Sequence, residues 1–149
     1  MENHISGSWI LDKNEVKPFI SLLKEFSILE VKGEDAEAFL HGQFTNHIKN
    51  RGESFRLAAY CQPQGRILAL MRVVKYNDAY LLILPSDLVA GFVKRLSMFI
   101  LRSKVTIREA QELSVYGLID PNMALPEIDH AVLTNGYLIG RVRDWNNKA

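Results

Sequence analysis

An α+β fold, with antiparallel sheet and covering helices, is predicted by three features of this 149-residue chain. Three strand-like runs follow one another between residues 55 and 84 with turn residues between them. Flanking segments repeat apolar residues at the three- and four-residue spacing of a helix face. The composition, 48% apolar and 23% charged, is that of a globular protein. One domain over residues 1–149 is expected, because no repeat, low-complexity tract or compositional boundary divides the chain. A chain of this size removes roughly two-thirds of its unfolded surface from water and needs no disulfide or metal to hold its core.

Asn14 is placed to cap a helix over residues 15–26, where Val16, Phe19, Ile20, Leu23 and Phe26 share a face and Pro18 sits in the first turn. Residues 27–32 read as a strand that ends at Gly33. Asp35 then starts a helix carried by Ala36, Ala38, Phe39 and Leu40 to a break at Gly42. After a polar stretch, 46–54, the runs 55–62 and 66–76 flank Pro63-Gln64-Gly65, a hairpin signal. Asn77-Asp78 turns the chain into 79–84, so the three runs predict an antiparallel meander.

A helix follows Pro85, with Ser86 or Asp87 as its cap. Its stripe of Leu88, Val89, Phe92, Val93, Leu96, Phe99 and Ile100 lies opposite Lys94, Arg95 and Arg102 and is expected on the meander's inner face. Residues 104–108, with Val105 and Ile107 alternating, and 112–119 read as further strands. Residues 120–130 contain Pro121 and Pro126 and read as a connector. Residues 131–133 and 137–142 flank Asn135-Gly136, the strongest hairpin turn of the sequence. The tail, 144–149, is polar and reads as frayed.

Eighteen basic and seventeen acidic residues leave a formal charge of +1, without the long-range field of a nucleic-acid or anionic-membrane binder. Arg51, Arg56, Arg66, Arg72 and Lys75 then read as a solvated face, and direct nucleic-acid binding is disfavoured. The first ten residues carry neither the basic nor the apolar region of a secretory signal. The longest apolar run, 79–84, is far shorter than the roughly 20 residues of a membrane-spanning helix. A lone thiol, Cys61, with no CxxC pair, agrees with a reducing compartment, so the expectation is a cytoplasmic protein with no membrane partner.

Standard catalytic signatures are missing: there is no GxGxxG, Walker loop, HExxH or cysteine/histidine cluster. His41 and His47 would need a third ligand from elsewhere to hold a metal, and they read instead as a helix end and its loop. Cys61 reads as a buried small apolar residue. Glu34, Asp35 and Asp87 sit at inferred helix starts, where the macrodipole accounts for them. Two segments stand out, 41–46 and 62–66. Gln43, Asn46 and Arg66 supply the amides and the cation that a flat, anionic, hydrogen-bonding ligand requires. The plainer reading has Thr45 and Asn46 capping a loop, Gln64-Gly65 making a turn, and Arg66 solvated.

The order of these motifs resembles the folate-binding YgfZ proteins, relatives of the aminomethyltransferase (T-protein) of the glycine cleavage system. The resemblance is carried by Ile28-Leu29-Glu30-Val31-Lys32-Gly33-Glu34-Asp35-Ala36, by Phe39-Leu40-His41-Gly42-Gln43-Phe44-Thr45-Asn46, by Ala58-Ala59-Tyr60-Cys61-Gln62-Pro63-Gln64-Gly65-Arg66-Ile67-Leu68-Ala69, and by residues 96–107 ending Leu101-Arg102-Ser103-Lys104-Val105-Thr106-Ile107. It covers residues 28–107 in collinear order and is similar to that family's N-terminal portion only. The K-G-C-x-x-G-Q-E signature of the family's later half has no counterpart. The acid that aminomethyltransferases place shortly after the hairpin glycine is replaced by Ala69 and Leu70.

The resemblance implies the N-terminal part of the aminomethyltransferase folate-binding fold and a tetrahydrofolate ligand or derivative. It also implies a link to iron–sulfur protein maintenance and tRNA modification. By position it implies Gln43, Thr45, Asn46, Gly65 and Arg66 as pterin or glutamate contacts and Tyr60 as a stacking wall. Three readings follow: a folate-binding protein without aminomethyl transfer, a shortened non-catalytic scaffold that works through a homodimer or another protein partner, and a one-carbon transferase. The last lacks a carboxylate where the chemistry needs one.

Overall fold

The computed structural model describes residues 19–45, 54–119 and 122–142. Strand β1 (Phe19–Leu22) leads into β2 (Phe26–Lys32), helix α1 (Ala36–Gln43), the meander β3 (Arg56–Cys61), β4 (Ile67–Tyr76) and β5 (Ala79–Pro85), and helix α2 (Val89–Ser97). Four short strands follow: β6 (Thr106–Glu109), β7 (Tyr116–Ile119), β8 (Ala131–Thr134) and β9 (Tyr137–Gly140). One five-stranded antiparallel sheet, ordered β3-β4-β5-β2-β6, forms the body, and β1-β7 and β8-β9 form two separate ribbons. Fold class and meander are as the sequence predicts.

Strand β5 is apolar along nearly its whole length because both faces of the sheet are covered there. On one face Leu29 and Val31, Tyr80, Leu82 and Leu84, Ala69, Met71 and Val73, and Ala58 and Tyr60 meet Phe39 and Leu40 of α1 and Val89, Phe92 and Leu96 of α2. On the other, Ile28, Leu81 and Val74 meet Ala110, Ala131, Phe55 and Leu138. The β8–β9 hairpin therefore lies over the side the helices leave open. Its turn has Asn135 at φ 47 and Gly136 at φ 80, the left-handed pair that joins strands of this twist. Arg72 pins the second layer: its Nη1 donates to the Phe55 carbonyl at 2.9 Å and to Asp129 Oδ1 at 2.8 Å, and its guanidinium lies 5.7 Å from the Phe55 ring centroid.

Three expectations are corrected. Residues 19–26, expected as helix, form β1, a turn closed by the Phe26 N–H to the Leu23 carbonyl, and the start of β2. Pairing of Phe19–Leu22 with Tyr116–Ile119 outweighs the helical spacing, which a four-residue strand and a turn satisfy equally well. Asn14 and residues 15–18 lie outside the described residues. Neither helix has a side-chain cap, although Asp35 and Ser86 stand where caps were expected. Asp35 Oδ2 instead accepts from the Lys104 N–H at 2.7 Å, and Ser86 Oγ lies 2.8 Å from Ser27 Oγ, so the first ties the start of α1 to the segment before β6 and the second ties the turn before α2 to β2. The run 112–119 narrows to β7 and leaves the main sheet, whose outer strand on that side is β6. The tail 144–149 lies outside the described residues.

Candidate functional site

Strand β3 organises the residues singled out by the sequence. Helix α1 ends at Gln43, and the chain then runs beside β3: Phe44 bridges Tyr60, the Thr45 N–H donates to the Ala59 carbonyl at 3.1 Å, and Thr45 Oγ1 accepts from the Ala59 N–H at 3.1 Å. The antiparallel sense of that bridge directs Gln43 towards the Cys61 end of β3. From the same end the 62–66 turn connects to β4, closed by the Gln62 N–H to the Arg66 carbonyl and the Gly65 N–H to the Gln62 carbonyl, both at 2.8 Å. Gly65 stands at φ 84, which suits glycine. The fold thus brings the two segments to one end of one strand.

Gln43 is half-buried, whereas Thr45, Gly65 and Arg66 are exposed. The Arg66 guanidinium forms no salt bridge among the described residues. Asn46 and His47 lie outside the described residues. Tyr60 is not an open stacking wall: it is 4% exposed, with its ring edge-on to Phe44 at 6.3 Å and to Phe92 at 5.3 Å. Phe44 in turn lies near-parallel to Phe92 at 6.3 Å. Tyr60 therefore anchors the loop after α1 from beneath. Cys61 follows the register shift that ends regular β3–β4 pairing and is partly buried. Amide, hydroxyl and guanidinium groups thus stand near this end of β3, and Ile67 and Leu70 are exposed on the neighbouring β4.

A recess of a different kind lies elsewhere. It is an open groove of about 810 Å³ at the other end of α1, lined by Asp35, Ala38, Phe39 and residues 99–103. Residue patterning does not announce it, because Phe99 and Ile100 continue the apolar stripe of α2 although the helix ends at Ser97. Beyond that end Leu101 stands at φ 45 and is 87% exposed. The groove is broad and mainly apolar, and Asp35 is engaged with Lys104, so few placed polar groups remain there to orient a small ligand.

The shifted ionisations support structure rather than proton transfer. Burial, then the hydrogen bond to Glu37 Oε2 at 2.8 Å, push the Tyr80 phenol well above its usual value. The Arg108 guanidinium lies between Glu112 (2.6 Å) and Glu30 (2.8 Å), and its hydrogen bond holds the Glu112 carboxyl down to about 2. Among the described residues no three His, Cys, Asp or Glu side chains come together to hold a metal. No helix there is long and apolar enough to cross a membrane.

Comparison with known proteins agrees with this architecture. No family model matches the chain. The "tRNA-modifying protein YgfZ" of Colwellia psychrerythraea is 34% identical over 98 residues, 65% of this chain and 30% of that one. The protein of the same name from Buchnera aphidicola is 30% identical over 113 residues, 71% of this chain and 35% of that one. An uncharacterized protein of Haemophilus influenzae is 33% identical over 74% of this chain and 42% of its own. The chain thus spans about a third of the length of the curated relatives it matches. Among solved structures, the glycine cleavage system aminomethyltransferase T of Bartonella henselae superposes with a TM-score of 0.64 at 12% identity, over 76% of this chain and 35% of that one. That likeness bears on the fold.

Proposed function

The chain is a relative of the YgfZ proteins, and on that premise we propose that it is a cytoplasmic folate-binding module that serves tRNA modification and iron–sulfur protein maintenance without transferring an aminomethyl group. The observation that carries the proposal is the convergence of the loop after α1 and the 62–66 turn at one end of β3. In this reading Arg66 meets a glutamate carboxylate of tetrahydrofolate or a derivative, Gln43, Thr45 and Asn46 meet the polar edge of the pterin, and the Gly65 turn allows close approach of backbone. Tyr60 acts through Phe44, as support. Bound folate would supply a one-carbon carrier, while these residues only bind and orient it.

Calorimetric titration of the full chain with 5-formyltetrahydrofolate tests this. A saturable micromolar site is expected. Arg66→Ala should weaken it about tenfold, the loss of one charge-assisted hydrogen bond in a partly solvated setting, with unchanged thermal stability because Arg66 is exposed. Absence of binding at high micromolar ligand overturns the reading. The scaffold alternative, acting through a homodimer or a protein partner, draws support from Met98, Phe99 and Leu101, which leave apolar surface exposed beside the groove.

A further inference from the structure

Three rings close on one another where α2 meets the loop after α1. Phe92 stands 6.3 Å from Phe44 with the rings near-parallel and 5.3 Å from Tyr60 edge-on, while Phe44 and Tyr60 meet edge-on at 6.3 Å. None of the three is more than 8% exposed. Tyr60 belongs to β3, Phe44 stands between Gln43 and Thr45, and Phe92 reaches them from α2. Phe44 has extended backbone, with φ −111 and ψ 157, so its side chain and that of Thr45 point to opposite sides. The ring enters the helix-covered core and Thr45 is turned out to water. Hydrogen bonds tie this loop through the Phe44 N–H to the Leu40 carbonyl and through two bonds between Thr45 and Ala59, each at 3.1 Å. Where water competes for such bonds the net contribution of each is small, so the packing of the rings, which is directional, sets the orientation of the loop.

We propose that Phe92 is a positioning residue for the folate site. By holding Phe44 and Tyr60 it sets where Gln43 and Thr45 stand relative to the 62–66 turn, and it does so from within the core, without touching the ligand. The proposal rests on the folate reading above and adds to it a residue of α2, an element that supplies none of the polar groups assigned to the site. An aliphatic side chain at position 92 fills much of the same space, but it cannot meet one ring by its face and another by its edge.

Comparison of Phe92→Leu with Leu96→Val in the full chain tests it. Both remove bulk from the buried face of α2, but Leu96 lies about one turn further on, towards residues 99–103, which line the groove at the opposite end of α1 from the loop. Hydrogen exchange at Phe44 and Thr45, taken relative to residues 79–85 of the central strand, should accelerate about tenfold in Phe92→Leu and stay unchanged in Leu96→Val. Calorimetric titration with 5-formyltetrahydrofolate should show Kd raised about tenfold by Phe92→Leu and unmoved by Leu96→Val. Equal acceleration at residues 44 and 45 in the two variants overturns the proposal, as does a Kd that Phe92→Leu leaves unmoved although the wild-type chain binds. A wild-type chain that binds no folate overturns the folate reading and the proposal with it, a result told apart from the other two because it precedes any substitution.

Discussion

Gly33→Ala isolates the contact that joins α1 to the edge of the sheet. Gly33 follows β2 at φ +137, and a Cβ built there would lie 1.9 Å from the Lys104 carbonyl oxygen and 2.8 Å from its carbon. Relief requires a backbone movement of more than 1 Å in one of the two segments. The segment at risk carries the Lys104 N–H bond to Asp35, the Lys104 Nζ pair with Glu34 and the buried Val105. The backbone conformation alone costs about 1–3 kcal/mol for an alanine, and displacement of these contacts adds a comparable amount, for a total of about 3–5 kcal/mol. Gly65→Ala is the control: its φ of +84 is also left-handed, but nothing lies within 4 Å of the added methyl, so its cost should stay near 1–2 kcal/mol. Urea unfolding followed by circular dichroism gives both values from the midpoints. If the two variants lie within 1 kcal/mol of each other, the close approach at Lys104 does not exist.

Arg72→Met should destabilise the chain by about 1–3 kcal/mol, since it removes two hydrogen bonds, one of them charge-assisted to an Asp129 carboxylate that is only partly shielded from water. Hydrogen exchange should show protection lost first across residues 131–140, and uniform loss over the whole sheet would contradict the pinning role. Because Glu112 titrates at about 2 when folded, below its unfolded value, its contribution is present above pH 4–5 and fades as pH falls towards 2. The gap in urea midpoint between wild type and Glu112→Gln should close over that window, and a gap that widens on acidification refutes the pairing with Arg108. Ala69→Asp should cost 3 kcal/mol or more, because it puts a carboxyl without a partner into the helix-covered core, while Leu70→Asp on the opposite face should cost little. Equal thermal unfolding temperatures for the two variants would show that the strand's facing is misassigned.

Most of the sheet was legible in the sequence because its signals are local. Pro63-Gln64-Gly65, Asn77-Asp78 and Asn135-Gly136 each mark a turn at the observed place, whereas facing was not legible in β5, which is apolar on both faces. The N-terminal strand was not legible, since Phe19–Leu22 takes its conformation from Tyr116–Ile119, almost a hundred residues away. Helix caps failed for a related reason. Asp35 and Ser86 have the right chemistry for capping, but Lys104 and Ser27 engage them instead.

The site was legible as a set of residue types and only partly as an arrangement. Polar groups at element ends were visible in Gln43, Thr45 and Arg66, yet whether they meet depends on the Phe44–Tyr60 bridge, a single non-local contact that no periodicity announces. The same bridge bears on Tyr60, which the resemblance implies as a stacking wall: buried on the face shared with Phe92, its ring lies beneath the loop after α1. The missing acid follows the same division of faces. Ala69, directly opposite Tyr60, is 3% exposed and has no room for a solvated carboxylate, whereas Leu70 is 46% exposed and points away from α1. Only position 70 could carry a charged group without disturbing the core, and it holds a leucine beside Ala59 on an apolar strip. With no titratable side chain at position 69 or 70, this stretch of β4 offers no group to hold or move a proton, in keeping with the binding role proposed above.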